Sequence, residues 1–267
     1  MSEGTLSDGK SSENLEIKQE LLRERDRKPI PNTTYGKPQY TAVEGDKQRI
    51  ELSRGCPHGC EFCFEAKNAY APKKKDVKQF PIPKIKKNYV EILDMNFLWQ
   101  PDIKDRIEKL GSIKVDDKVV HYEEICGFDY KLMDQEICNL LKEARFVKPR
   151  IAWDGRVENQ YKIKDTIDNL KDAGYKGQDI GVFMLVNHKV SYEDCVKKLD
   201  MLKVWNVRVC DCCYDGGYQN AVSEHWTRKE MKDFRAKSRK HNQLVNFELD
   251  PELDALDDDT EKLEVFV

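Results

Sequence analysis

The stretch Arg49-Ile50-Glu51-Leu52-Ser53-Arg54-Gly55-Cys56-Pro57-His58-Gly59-Cys60-Glu61-Phe62-Cys63 joins a short β-pattern to three closely spaced cysteines. Arg49–Ser53 alternates polar and apolar residues and reads as a strand. It leads directly into Cys56, Cys60 and Cys63, a C-x3-C-x2-C arrangement. Three thiolates in one loop leave a tetrahedral four-cysteine site one ligand short. They suffice for three corners of a cubane iron–sulfur cluster, with the fourth iron open to another ligand. A zinc knuckle and a reactive-thiol loop are the other readings. Zinc fingers pair C-x2-C with a second such pair or with spaced histidines, and none follows here at that spacing. A disulfide suits secreted chains, whereas close cysteines in an intracellular chain more often bind metal.

Outward from the cysteines, β-rich runs alternate with amphipathic helical patterns. Tyr89–Asp94, Tyr122–Phe128, Arg150–Trp153, Ile180–Val186 and Val207–Cys212 read as five further strands. Between and after them, Pro101–Leu110, Asp134–Ala144 (N-capped by Asp134), Lys164–Ala173 (closed by Gly174), a helix from Ser191 to Val204, and Thr227–Asn242 read as helices. Strand starts recur roughly every thirty residues, as βαβ units require. The pattern predicts an α/β fold with a parallel sheet and helices outside it. Six units are too few for a closed eight-stranded barrel. They fit an open (β/α)6 partial TIM barrel, with a doubly wound sheet as the alternative. In either, sites gather at the carboxyl ends of the strands, where the cysteine loop stands.

The chain has 267 residues, 36% charged and 39% apolar, with a net charge of −3. Residues 1–45 carry eight acids and seven bases and read as a mostly flexible N-terminal segment, with a short charged helix over 14–26. Residues 248–267 carry nine acids and one lysine and read as an acidic C-terminal tail. The core domain between them, residues 46–247, is left at about +6. A basic body beside an acidic tail reads either as an anionic-substrate site shielded by the tail or as plain solubility. Lys73, Lys74, Lys75, Lys78, Lys84, Lys86 and Lys87 form a basic run that suits RNA or a nucleotide, or simply a solvated loop. No apolar stretch approaches the length needed to span a bilayer, and the N-terminal residues lack the apolar core expected of a signal peptide. Nine cysteines point to a reducing compartment, and so to the cytoplasm.

The cysteine motif resembles the signature of the radical S-adenosylmethionine (SAM) superfamily. Phe62 stands where that family commonly has an aromatic residue before the third cysteine, and Arg54-Gly55 leads into the first. The resemblance covers roughly residues 46–245 and is to the short, single-domain members. It implies a [4Fe-4S] cluster on Cys56, Cys60 and Cys63, with SAM bound to the open iron. Reductive cleavage of SAM then yields a 5′-deoxyadenosyl radical that takes a hydrogen atom from substrate. It also implies an external one-electron reductant, flavodoxin- or ferredoxin-like. The substrate stays unknown, nucleic acid enters only through the lysine run, and no membrane is involved. A non-catalytic iron–sulfur or zinc protein is the reading of another class.

The resemblance also assigns residues. Phe62 supports the adenine side of SAM. The family's Gly-Gly-Glu segment has no glycine counterpart in Leu93-Asp94-Met95-Asn96-Phe97; Asp94 or Asn96 accepts from the SAM ammonium there, or caps a strand-end turn. Lys131 and Arg156 are cations for the SAM carboxylate. Asp154 suits a ribose hydroxyl, and Asn187 follows the fifth strand at the same rim. Cys210, Cys212 and Cys213 read as an auxiliary cluster, as buried strand residues, or as a redox thiol, with Cys212 the candidate hydrogen-atom donor. Neighbouring strand positions face opposite ways, which opposes joint ligation. Cys126, Cys138 and Cys195 read as core.

Overall fold

Alternation of short β-branched runs with amphipathic helices folds into parallel strands laid down in chain order. The computed structural model describes residues 38–63, 69–154, 157–214 and 226–247. The first four-stranded sheet contains β1 (Thr41–Glu44), β2 (Lys47–Ile50), β5 (Tyr89–Ile92) and β8 (His121–Glu124), in that order. β1 is antiparallel to β2; β2, β5 and β8 are parallel. A second, wholly parallel sheet holds β9 (Arg150–Ala152), β10 (Gly181–Val186) and β11 (Arg208–Cys213). Parallel bridges Tyr122–Phe146 and Phe128–Ile151 join the two sheets. The six parallel strands β2-β5-β8-β9-β10-β11 therefore follow one another without the order reversal of a doubly wound sheet. Two small antiparallel ribbons, β3 (Ser53–Arg54) with β4 (Lys78–Gln79) and β6 (Lys114–Val115) with β7 (Lys118–Val119), decorate the connections.

Among the described residues, five α-helices follow the parallel strands: α1 (Ile103–Ser112), α2 (Gln135–Glu143), α3 (Gln160–Asp172), α4 (Tyr192–Val204) and α5 (Arg228–Phe247). Asp134 caps α2 by accepting from Ile137 N at 2.9 Å, and Ser191 caps α4 by accepting from Asp194 N at 3.1 Å, as their sequences predict. Four of them turn an apolar stripe inward: Ile107 and Leu110, Ile137 and Leu141, Ile163 and Ile167, Leu199 and Leu202 meet Ile50, Val90, Ile92, Ile151, Val182 and Met184 from the strands, and α5 adds Phe234 to the same core. Each such side chain contributes about 1.5–3 kcal/mol through burial. Phe97, Tyr122, Phe128 and Phe146 form an aromatic cluster beneath the strand ends, with ring centroids 5.4–6.4 Å apart. Lys198, on the inner side of α4, is fully buried; its Nζ donates to Trp153 O at 3.2 Å and lies over the Trp153 ring.

Several expectations shift. β1 lies inside span 1–45, so the folded body extends into the segment read as mostly flexible. The third parallel strand stops at Glu124, because the Glu124 carboxylate accepts from Cys126 N and Gly127 takes a φ of +86°. The connection between β2 and β5 holds one 3-10 turn, Lys74–Asp76, and no α-helix among its described residues. Two lysines of the basic run are spent on packing: Lys74 lies over Trp99 and Lys78 over Phe80. Residues 1–37 and 248–267 lie outside the described residues, as does Arg156. Among the described residues, no helix is long and apolar enough to cross a membrane.

Candidate active site

The cysteine loop grows from a two-stranded stem. β3 pairs antiparallel with β4, and just beyond it a separate parallel bridge joins Cys56 to Tyr70, where Cys56 N donates to Ala69 O and Ala71 N donates to Cys56 O, both at 2.9 Å. Gly55 is required in this stem. Its φ is +144°, and a Cβ there would stand 2.9 Å from Ala71 Cβ. Arg54 anchors the entry: it pairs with Glu51, donates to Pro38 O at 2.9 Å, and lies over the Phe80 ring at 5.0 Å.

From the stem the loop crosses the carboxyl ends of the strands. His58 Nε2 meets Asp129 Oδ2 after β8 at 2.7 Å. Phe62 packs edge-on against His188 after β10, with centroids 5.8 Å apart, and Glu61 pairs with Lys189. Burial pushes the Asp129 carboxyl up, but bonds from His58 and Lys131 N outweigh it and hold the group below its ordinary range. A carboxylate thus stays ready to grip the loop at neutral pH.

Beneath the loop lies a cavity of about 600 Å³. Cys56, Cys60 and Cys63 all line it, together with Phe62, Asn96, Lys131 and Asp154. Burial pushes the Cys60 thiol up to about 11, with Cys56 and Cys63 adding to it; burial also raises Cys56. Without a cation the enclosed loop therefore favours protonated thiols, and a bound metal would displace those protons. Among the described residues, no three His, Cys, Asp or Glu side chains stand close enough for a single metal ion.

The pocket also holds acceptors. Asn96 is only 4% exposed; its Nδ2 points to Cys56 Sγ at 3.9 Å, and its Oδ1 has no hydrogen-bond partner. A buried orphan acceptor costs free energy unless a donor arrives. Burial raises the Asp154 carboxyl to about 6 against the pull of Lys198.

Three sequence-predicted residues fall elsewhere. Asp94 is fully buried behind the cavity. It accepts from Leu52 N at 2.7 Å and Ser53 Oγ at 2.6 Å, so it splices β5 to the start of the cysteine stem rather than facing a cofactor. Asn187 donates to Tyr214 O at 2.9 Å and lines a separate groove beside α5. Cys212 sits in β11 opposite Leu185, with its Sγ directed to Cys210 O, and does not line the cavity. A strand ending at Cys212 would put it at the rim, but β11 runs one residue further, to Cys213.

Conversely, the expectation of a core Cys126 is corrected: it is exposed and lines the cavity, because β8 ends two residues before it. Asn159 and His58 also join the pocket without having been singled out. For His58 the signal was available, since a histidine between two motif cysteines must travel with them.

Glu124, 1% exposed, is a further buried acid at the strand ends. Its Oε1 accepts from Cys126 N at 2.8 Å and its Oε2 has no partner. Burial, followed by the nearby Asp94, holds its carboxyl well above the ordinary range. The folded chain keeps this proton while the unfolded chain releases it above about pH 4.3. Stability therefore falls as pH rises through that window, and Asp94, raised to about 7, acts in the same sense. Glu124→Gln stays neutral and keeps the acceptor. Its melting temperature should match wild type at pH 4 and exceed it at pH 8. An equal gap at both pH values would assign the effect to packing.

Neither a protein-family model nor a curated relative matches the sequence. Solved structures do. TsrM, a radical S-adenosylmethionine methyltransferase from Kitasatospora setae, bound to tryptophan and the SAM analogue aza-SAM, aligns at TM-score 0.50 and 14% identity, over 62% of this chain and 36% of its own. Over the matched part, this chain is similar to TsrM in fold. The form of TsrM with cobalamin and a [4Fe-4S] cluster aligns at TM-score 0.49 and 12% identity, with the same coverage. Streptococcus suis SuiB bound to the precursor peptide SuiA aligns at 0.49 and 12%, over 92% of this chain and 54% of that one. The chain spans between about a third and about a half of the length of these proteins. In this chain the cysteine loop and its cavity occupy the carboxyl ends of the parallel strands.

Proposed function

We propose that the chain is a radical SAM enzyme, with its core over residues 46–247 arranged as an open (β/α)6 barrel. The observation that carries this reading is that all three thiols of one C-x3-C-x2-C loop line a single cavity shared with Asn96, Lys131 and Asp154. Cys56, Cys60 and Cys63 would hold a [4Fe-4S] cluster, which when reduced supplies the electron for cleaving SAM. Asn96 Oδ1, an orphan acceptor, suits the SAM ammonium. Lys131 offers a cation to its carboxylate, with Arg156 as a second. Asp154 suits a ribose hydroxyl, and Phe62 backs the adenine. Leu93, Met95, Phe128 and Ala152 give the cavity an apolar wall that excludes water. His58 and Asp129 fix the loop over it. A flavodoxin- or ferredoxin-like protein would supply the electron in a reducing, cytoplasmic compartment.

Anaerobic reconstitution with iron and sulfide tests this. The protein should turn brown with about four irons per chain, and SAM should change the electron paramagnetic resonance spectrum of the reduced sample. A colourless, zinc-loaded protein would overturn the reading. A cluster indifferent to SAM would leave a non-catalytic iron–sulfur protein. About eight irons, or a residual cluster in the Cys56→Ala/Cys60→Ala/Cys63→Ala variant, would place a second centre at Cys210, Cys212 and Cys213.

A further inference from the structure

The last helix carries a cationic stripe that the proposed chemistry does not use. Arg228, Lys232, Arg235 and Arg239 recur at i, i+4, i+7 and i+11 and so share one face of α5. All four are exposed. With Asn187, Trp226 and Met231 they line a groove of about 540 Å³, and none of its described lining residues is a carboxylate. The acids of α5 itself are engaged elsewhere. Glu230 accepts from Thr227, and Asp233 accepts from Tyr192 and pairs with Lys237. Asp211 stands 4.0 Å from Arg235, at the side of the stripe. Residues 228–247 hold seven Lys and Arg against two acids.

The matching anion follows at once in the sequence. Residues 248–267 contain nine acids and one lysine. We infer that this acidic segment runs back along α5 and seats its carboxylates in the groove on Arg228, Lys232, Arg235 and Arg239. The reach suffices. Arg239 lies eight residues before Phe247, about 12 Å along the helix, and Arg228 lies about 28 Å along it. A chain of twelve residues spans up to about 40 Å, which carries Asp257, Asp258 and Asp259 past the whole stripe. Tethering gives the segment an effective concentration on the order of millimolar, so it outcompetes dilute anions without any single strong pair.

The groove adjoins the candidate active site. Asn187 precedes His188, whose ring meets Phe62 of the cysteine loop. A seated acidic segment therefore screens that rim against other polyanions. The seat is independent of cluster and SAM, and so are both of its tests.

Zero-length carbodiimide coupling of the full chain should join Lys232 Nζ to a carboxylate between Glu248 and Glu264. In a mixture of isotopically heavy and light chains the links should stay within one chain. The Arg228→Gln/Arg239→Gln variant should lower the yield about threefold, because the remaining stripe attracts the segment less. Absence of that link, equal coupling at the off-stripe Lys229, or abundant heavy–light links would overturn the inference. A second arm uses a fluorescein-labelled oligothymidylate as competing polyanion at low salt. The Asp257→Asn/Asp258→Asn/Asp259→Asn variant should bind it about tenfold more tightly than wild type. Equal binding would overturn the inference.

Discussion

Single replacement of Cys56, Cys60 or Cys63 by alanine should abolish reductive cleavage of S-adenosylmethionine while leaving the chain folded. Loss of a group that merely orients a metal ligand already costs about 10–100-fold, so loss of a ligand should exceed a hundredfold. The fold should survive because the three thiols belong to a half-exposed loop, not to the hydrophobic core. The stem contacts of Cys56 are made by its backbone, which alanine keeps. Unfolding stability without the cluster should change by less than about 1 kcal/mol. Cys138→Ala provides the contrast: that thiol is buried under α2, and its loss should lower stability and spare cleavage. Wild-type cleavage rates in any of the three loop variants, measured as 5′-deoxyadenosine formed, would sink the assignment.

The second large effect should come from Gly127→Val. Gly127 turns the chain after β8 with a φ of +86°, a conformation that costs a β-branched residue about 1–3 kcal/mol. A Cβ there would also stand 2.8 Å from two carbons of the Phe183 ring, on β10, the strand beyond β9. Strain and overpacking together should cost on the order of 3–5 kcal/mol. Because Gly127 lines the cavity beside Cys126 and Phe128, cofactor binding should fail with it. Phe183→Ala in the same chain should relieve the steric part and leave the backbone part, so the double variant should be more stable than Gly127→Val alone. Wild-type stability of Gly127→Val in urea would show that the turn is not held in this conformation.

Much of the layout was readable because it depends on local pattern. The six strands, the helices between them and the caps at Asp134 and Ser191 follow from period, propensity and side-chain chemistry over a few residues. The corrections fall where the end of a strand decides which way a side chain faces. Ending β8 at Glu124 instead of Phe128 moves Cys126 from a core position to the cavity. Extending β11 to Cys213 keeps Cys212 in the sheet. Asp94 could not be told from a cofactor acceptor, because its partners, Leu52 and Ser53, lie more than forty residues away in the chain.

The sequence by itself determined the cysteine loop. Three thiols separated by three and two residues are held together by covalent connectivity, whatever surrounds them. Tertiary structure alone decided what that loop faces. His58 meets Asp129 across 71 positions, Phe62 meets His188, and Asn96 turns its Nδ2 to Cys56 Sγ. Such contacts are set by the parallel stacking of strand ends, where residues far apart in the chain come within hydrogen-bond distance.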